Sequence, residues 1–190
     1  RIGKMILYGA IFACLDPVLT IAAAMSGQSI FMSPMDKREA ADAAKRALAA
    51  PLSPTDCTPF SDHAAALRAY NGWLAARARG GGAERSYTSR HFLSPAALKN
   101  IQDLKRQFAE LLAEIGFVKG KVRQRDMERM RRGDGVLEAT GPAVNANKDC
   151  LSLVRAVICA GLYPNIACVD ARAGFNPTQP GGQHQVRTHR

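Results

Sequence analysis

No G-x-x-x-x-G-K-[ST] phosphate loop occurs in the 190 residues. Gly3-Lys4 and Gly120-Lys121 precede Met5 and Val122 rather than a hydroxyl residue, so neither pair opens a nucleotide cradle. Metal-ligand spacing is missing too. Cys14, Cys57, Cys150, Cys159 and Cys168 form no C-x-x-C, and His63, His91, His184 and His189 lack cysteine or carboxylate partners at ligand spacing. Ser61, Asp62 and His63 are the letters of a catalytic triad, but consecutive residues cannot place nucleophile, base and orienting carboxylate in line. No catalytic residue, cofactor site or metal site is therefore assigned. Nucleotide turnover, which needs a phosphate cradle and metal ligands, is not expected of this chain.

An unbroken bilayer-length apolar run is also lacking. Ile2 to Met25 is the most apolar stretch, and its ends imitate a signal peptide: Arg1 and Lys4 in front, Met5 to Leu15 as apolar centre, Ala22 to Ala24 as cleavage site. Asp16-Pro17 divides it. Each half is far short of the ~20 residues a spanning helix needs, and a carboxylate inside hydrocarbon is costly. The stretch predicts a buried helix pair, with Asp16 as N-cap and Pro17 as first residue of the second helix. No membrane partner is expected. Because the chain opens inside an apolar helix without an initiator Met, it reads as a piece of a longer polypeptide.

What is abundant is basic charge, +10 overall. Residues 1–118 carry 14 basic and 10 acidic groups, and residues 119–190 carry 12 and 6, so the excess is concentrated late and favours polyanions. The odd cysteine count, in mostly apolar surroundings, points to reduced, buried thiols in an intracellular protein, cytoplasmic, nuclear or organellar.

Along the chain, Asp36 and Glu39 start an Ala-rich helix whose Lys37, Arg38, Lys45 and Arg46 read as a solvated face. Residues 51–59 hold three prolines and form a loop. Ser61 caps a helix with Leu67, Tyr70 and Leu74 on one face, and Gly80 to Gly82 break it. The strongest periodicity is Leu98, Ile101, Leu104, Phe108, Leu111 and Ile115, a core stripe begun by Ser94-Pro95 and closed by Gly116, with Lys99, Lys105 and Arg106 on the opposite face. Residues 119–147 begin with seven basic groups and turn Gly/Ala/Pro/Asn-rich, which predicts a disordered basic insert. A final amphipathic helix holds Leu151, Val154, Val157 and Ile158, ends at Gly161 and is shut off by Pro164. Residues 165–172 suggest one strand, and the tail from Ala173 has no structural pattern.

These segments carry a resemblance. GKMILYGAIFACLDPVLTIAAA resembles the end of the winged-helix domain of DEAH/RHA-type RNA helicases. DKREAADAAKRALA, SDHAAALRAYNGW, SYTSRHFLSPAALKNIQDLKRQFAELL and LVRAVICAGLYPNIA resemble, in order, the family's following segments, over roughly residues 2–118 and 148–168. The wording is nearest the RNA-helicase-A-like branch. The resemblance implies a mainly α fold: the end of a winged helix (1–26), a helical ratchet bundle (27–118), the basic flexible insert (119–147), the last bundle helix (148–164) and the first strand of an incomplete OB-fold or a disordered tail (165–190). It implies the accessory region of an ATP-dependent RNA helicase, binding single-stranded RNA and coupling it to RecA-like motor domains. ATP and Mg belong to that parent enzyme, not to these residues. The alternative is a non-catalytic helical protein-interaction module derived from such a helicase. Matching the family's motifs residue by residue marks Ser61, His63, Arg90, His91, Lys105 and Gln107 as RNA-binding candidates. At His91 the family usually has Asn, and at Lys105 often Arg.

Overall fold

The computed structural model describes residues 1–50, 61–118, 135–169 and 186–188, which are mainly helical. The elements are α1 (Ile2–Ile11), α2 (Leu15–Ser26), α3 (Arg38–Ala49), α4 (Asp62–Ala78), α5 (Gly81–Arg90), α6 (Pro95–Glu114), α7 (Val136–Thr140) and α8 (Leu151–Leu162). Two short strands, β1 (Ala167–Val169) and β2 (Val186–Thr188), pair antiparallel with Cys168 opposite Arg187. Among the described residues no helix is long and apolar enough to cross a membrane.

The apolar first stretch is a buried helix pair, and α2 is the axis of the bundle. It packs against α1, α4, α6 and α8, and every residue from Pro17 to Ala23 is buried. Fully burying side chains such as Leu15, Val18, Leu19 and Ile21 contributes about 1.5–3 kcal/mol each. Two apolar clusters meet along this axis. The first joins α1, α2 and α8 with Ala109, Leu112 and Val136; the second gathers Ala23, Ile30, Tyr70, Trp73, Leu93, Leu98 and Ile101. Glycines allow the closest approaches. A Cβ on Gly9 would come within 2.9 Å of Val18 Cγ1, one on Gly161 would overlap Met5, and one on Gly72 would overlap the Tyr87 hydroxyl.

Several expectations need correction. Cys14, not Asp16, occupies the N-cap of α2, so Pro17 falls in the third helical position, still within the first turn where a missing N–H is harmless. The Asp16 backbone N–H donates to Asn145 Oδ1 at 2.8 Å instead. Asp36 caps nothing: a 3₁₀ turn over Met35–Lys37 precedes α3, which has no side-chain cap. Gly80 does break α4, but Gly81–Arg90 resumes as a helix that the sequence did not announce. The buried Trp73 Nε1–H donates to Glu84 Oε1 at 2.8 Å, tying α5 to α4. Gly161 lies inside α8 as its contact with Met5 rather than ending it.

The expected stripe of α6 holds only in its first half. Leu98 and Ile101 are buried, whereas Leu111 and Ile115 are 57% and 61% exposed, and the buried line continues through Lys105, Ala109 and Leu112. The Ser94 cap is as expected, its Oγ accepting from Ala97 N–H at 3.3 Å, and Gly116 follows the helix with φ +80. The expected disordered insert is also too long. Residues 119–134 lie outside the described residues, but 135–147 are part of the fold, with Val136, Thr140 and Asn145 buried. Asn145 Nδ2–H donates to Thr140 Oγ1 and the Gly141 carbonyl, both at 2.8 Å. Of the thiols, Cys14 is buried, but Cys150 and Cys159 are exposed. Burial pushes the Cys14 thiol up, with a further push from Cys150.

Candidate nucleic-acid interface

The connection after α2 runs extended and pairs with the α5–α6 turn. Phe31 bridges antiparallel to Leu93, Ser94 N–H donates to the Ile30 carbonyl at 2.9 Å, and Met32 N–H donates to the Phe92 carbonyl at 2.8 Å. Phe92 holds a left-handed φ of +51, which turns the chain sharply from α5 into this bridge. His91 and Phe92 are thereby set beside the Ser29–Met32 segment.

Next to that segment opens a cleft of about 240 Å³, bordered by Met25, Ser29, Phe31, Lys45, Asp62 and His63. The Lys45 ammonium lies 5.4 Å from the Phe31 ring centroid and 3.0 Å from Asp62 Oδ1. Ser61 caps α4, its Oγ accepting from Ala64 N–H at 3.3 Å. His63, the second residue of α4, is half-buried and also borders a small second pocket with Ser61, Arg68 and Arg155. Arg68 Nη1 donates to the Leu48 carbonyl at 2.8 Å and to that of Ala50, fixing the end of α3 against α4.

The other candidates are distributed unevenly. His91 closes α5 and stacks on Tyr87 with ring centroids 4.5 Å apart. Burial, and then the adjacent Arg90 guanidinium, hold its imidazole below the usual range, while burial pushes the Tyr87 phenol up. Arg90 and Gln107 are exposed. Lys105 is not: it is 1% exposed, its Nζ sits 2.7 Å from Asp16 Oδ1, and the Tyr70 ring lies 5.2 Å away. This corrects its reading as a solvent-facing group. A phosphate contact from Lys105 would require the pair with Asp16 to open.

The fold thus sets His63 at the first cleft, places Ser61 with His63 at the second pocket, carries His91 at the end of α5 just before the Phe31–Leu93 bridge, and leaves Lys105 in the interior. Phe31 was not singled out by sequence reasoning, since it stands in a short connection, and Lys45 was read as part of a solvated face, since it stands on an Ala-rich helix. Only the bridge and the packing of α3 on α4 bring them together. Among the described residues no group of three or more His, Cys, Asp or Glu could hold a metal ion.

Residues 1–79 match the helicase associated domain (HA2), ratchet-like. Human DHX57, which carries the name of an ATP-dependent RNA helicase, is 44% identical over 183 residues, 95% of this chain and 13% of that protein. The human ATP-dependent DNA/RNA helicase DHX36 is 39% identical over 174 residues, 92% of this chain and 15% of its own length. The DExH-box ATP-dependent RNA helicase DExH1 of Arabidopsis thaliana is 39% identical over 166 residues, 87% and 14%. The chain therefore spans only about an eighth to a seventh of the length of these curated relatives.

Proposed function

With residues 1–79 belonging to the helicase-associated (HA2), ratchet-like family, we propose that this chain is the accessory region of a DExH-box RNA helicase that binds single-stranded RNA and couples it to RecA-like motor domains of a longer protein. The observation that carries the reading is the similarity of nearly the whole chain to proteins named as RNA helicases. The excess of basic charge supports it, as does the gathering of His63, Lys45 and Phe31 at one cleft. Phosphate contacts from a basic groove with bases laid on aromatic faces are the usual physics of single-strand binding. ATP and Mg are assigned to the motor domains of that longer protein, because these residues include no phosphate loop. We assign residues 1–26 to the end of a winged helix and residues 165–190 to the start of an OB-fold. The strand pair of β1 with β2 is compatible with the latter. One observation favours the protein-interaction alternative: Leu111, Ile115 and Phe117 leave apolar surface exposed at the end of α6.

The test is titration with a short single-stranded RNA across salt concentrations, with the basic residues of 119–132 replaced by Gln as background so that their charge does not dominate. Arg90→Ala should weaken binding by a similar factor for every RNA sequence and reduce the log–log salt slope by about 0.7. A background protein that does not bind RNA would overturn the reading.

A further inference from the structure

We propose that the cleft between Phe31, Lys45 and His63 is a single-nucleotide subsite, in which a base stacks on Phe31 where the Lys45 ammonium now sits and Lys45 leaves Asp62 for the nucleotide's phosphate. The inference rests on the RNA-binding reading above and adds the residues that would hold one nucleotide of the strand.

The size of the cleft argues for one base. At about 240 Å³ it is smaller than the ~300–1,000 Å³ of sites that enclose whole drug-sized ligands. Its lining combines apolar Ala24, Met25, Ile30, Phe31 and Ala66 with the charged Lys45 and Asp62. Apolar surface together with a cation matches a ring attached to a phosphate. Phe31 is held in place because its neighbours Ile30 and Met32 are hydrogen-bonded to Ser94 and Phe92, and because Ser29 Oγ both accepts from Phe31 N–H and donates to its carbonyl at 3.2 Å. The main chain under the ring is therefore fixed, and the ring packs partly buried against the second apolar cluster.

The cation is not fixed. Lys45 is 38% exposed and its partner Asp62 79% exposed, so their ion pair is a weak, water-screened one that a phosphate can displace. A lysine on an aromatic face and a base on the same face are alternatives for one surface. Lys45 is thus a placeholder in the free protein, and Asp62 competes with the strand for it. The competition gives the proposal its sign: removing the Asp62 charge should strengthen RNA binding.

The probe is a ten-nucleotide single-stranded RNA carrying one 2-aminopurine, added to the full chain in the Gln-substituted background. Binding should quench the fluorophore by stacking. Phe31→Leu, which keeps an apolar side chain at the bridge, should abolish the quench and weaken binding on the order of tenfold. Lys45→Ala should weaken binding and lower the salt slope by about 0.7. Asp62→Asn should tighten binding several-fold. Circular dichroism melts confirm that each variant is folded. If the parent protein binds RNA but Phe31→Leu binds equally well with the quench intact, or if Asp62→Asn weakens binding, the subsite is refuted and the cleft is left to a protein partner. If the parent protein does not bind RNA, the subsite and the reading it rests on fall together.

Discussion

The same three groups, a lysine, an aspartate and an aromatic ring, occur twice in this molecule. In the interior Lys105 meets Asp16 at 2.7 Å with Tyr70 5.2 Å away; at the surface Lys45 meets Asp62 at 3.0 Å with Phe31 5.4 Å away. The distances are nearly equal and the exposures are not: 1% and 14% against 38% and 79%. The Lys105 ammonium has already lost its water and stays with Asp16, because moving it away would give up a charge partner inside the protein. Surface charges keep their water and gain little from each other, so either can be drawn to a new partner. The interior trio is an anchor for α2, α4 and α6, and the surface trio is a site where exchange is possible.

The largest effect should come from breaking the anchor. Lys105→Ala leaves the partly buried Asp16 carboxylate without this cation and should cost up to about 3–5 kcal/mol in a urea melt, while Lys105→Met with Asp16→Leu should recover most of that loss. A penalty below 1 kcal/mol for the single change would mean that water reaches the pair and that the two trios are alike. Gly161→Ala comes next. It overfills the apolar contact with Met5 without touching either ion pair and should cost about 1–3 kcal/mol. If it costs nothing, α1 and α8 yield easily, and the anchor's sensitivity does not come from tight surroundings. Lys45→Ala should change stability by less than about 1 kcal/mol, and the difference should disappear in 1 M salt while the Lys105→Ala penalty persists.

The smallest expected effect concerns His91, an aromatic stack with a charged neighbour but no carboxylate. Its imidazole is held below its ordinary value, first by burial and then by Arg90. The unfolded chain therefore takes up the proton at higher pH than the folded one. Stability then rises with pH where the two differ, and falls as the solution is acidified below about pH 6.5. His91→Gln should flatten the stability profile between roughly pH 5 and 7; an unchanged profile would show that burial and Arg90 do not restrain its ionisation.

Legibility in the sequence followed the range of the interactions. The helix pair, which divides at Phe12–Cys14 just before Asp16-Pro17, and the Ser94 cap of α6 depend on neighbouring residues, and both were readable apart from the position of the first cap. The second half of the α6 stripe was not. A lysine among apolar positions reads as an outward residue unless its partner is known, and Asp16 lies almost ninety residues earlier. The same reason hid residues 135–147, whose polar composition resembles a loop until Asn145 is seen to satisfy Thr140, Gly141 and the start of α2. Gly161 read as a terminator because glycine often is one, although its role is to admit Met5. At the candidate interface the helix starts at Ser61 and just after Arg90-His91 were visible as motifs, but Phe31 and Lys45 come together only when α3 and the Phe31–Leu93 bridge are assembled.

The contact of α1 with α8 also orders events in time. Met5 rests on Gly161, and Lys4 Nζ donates to the Tyr163 carbonyl at 3.2 Å across 159 residues, so a helix made early waits for one made late. At the ~5–20 residues per second of synthesis, its apolar face stands uncovered for roughly 8–30 s after it leaves the ribosome. Interactions this distant in sequence are also slow to form once the chain is complete. During that interval the first helix is exposed to aggregation and to chaperones. A chain ending before Leu162 would never close it, and a reporter of nascent-chain solubility should rise sharply once α8 has emerged.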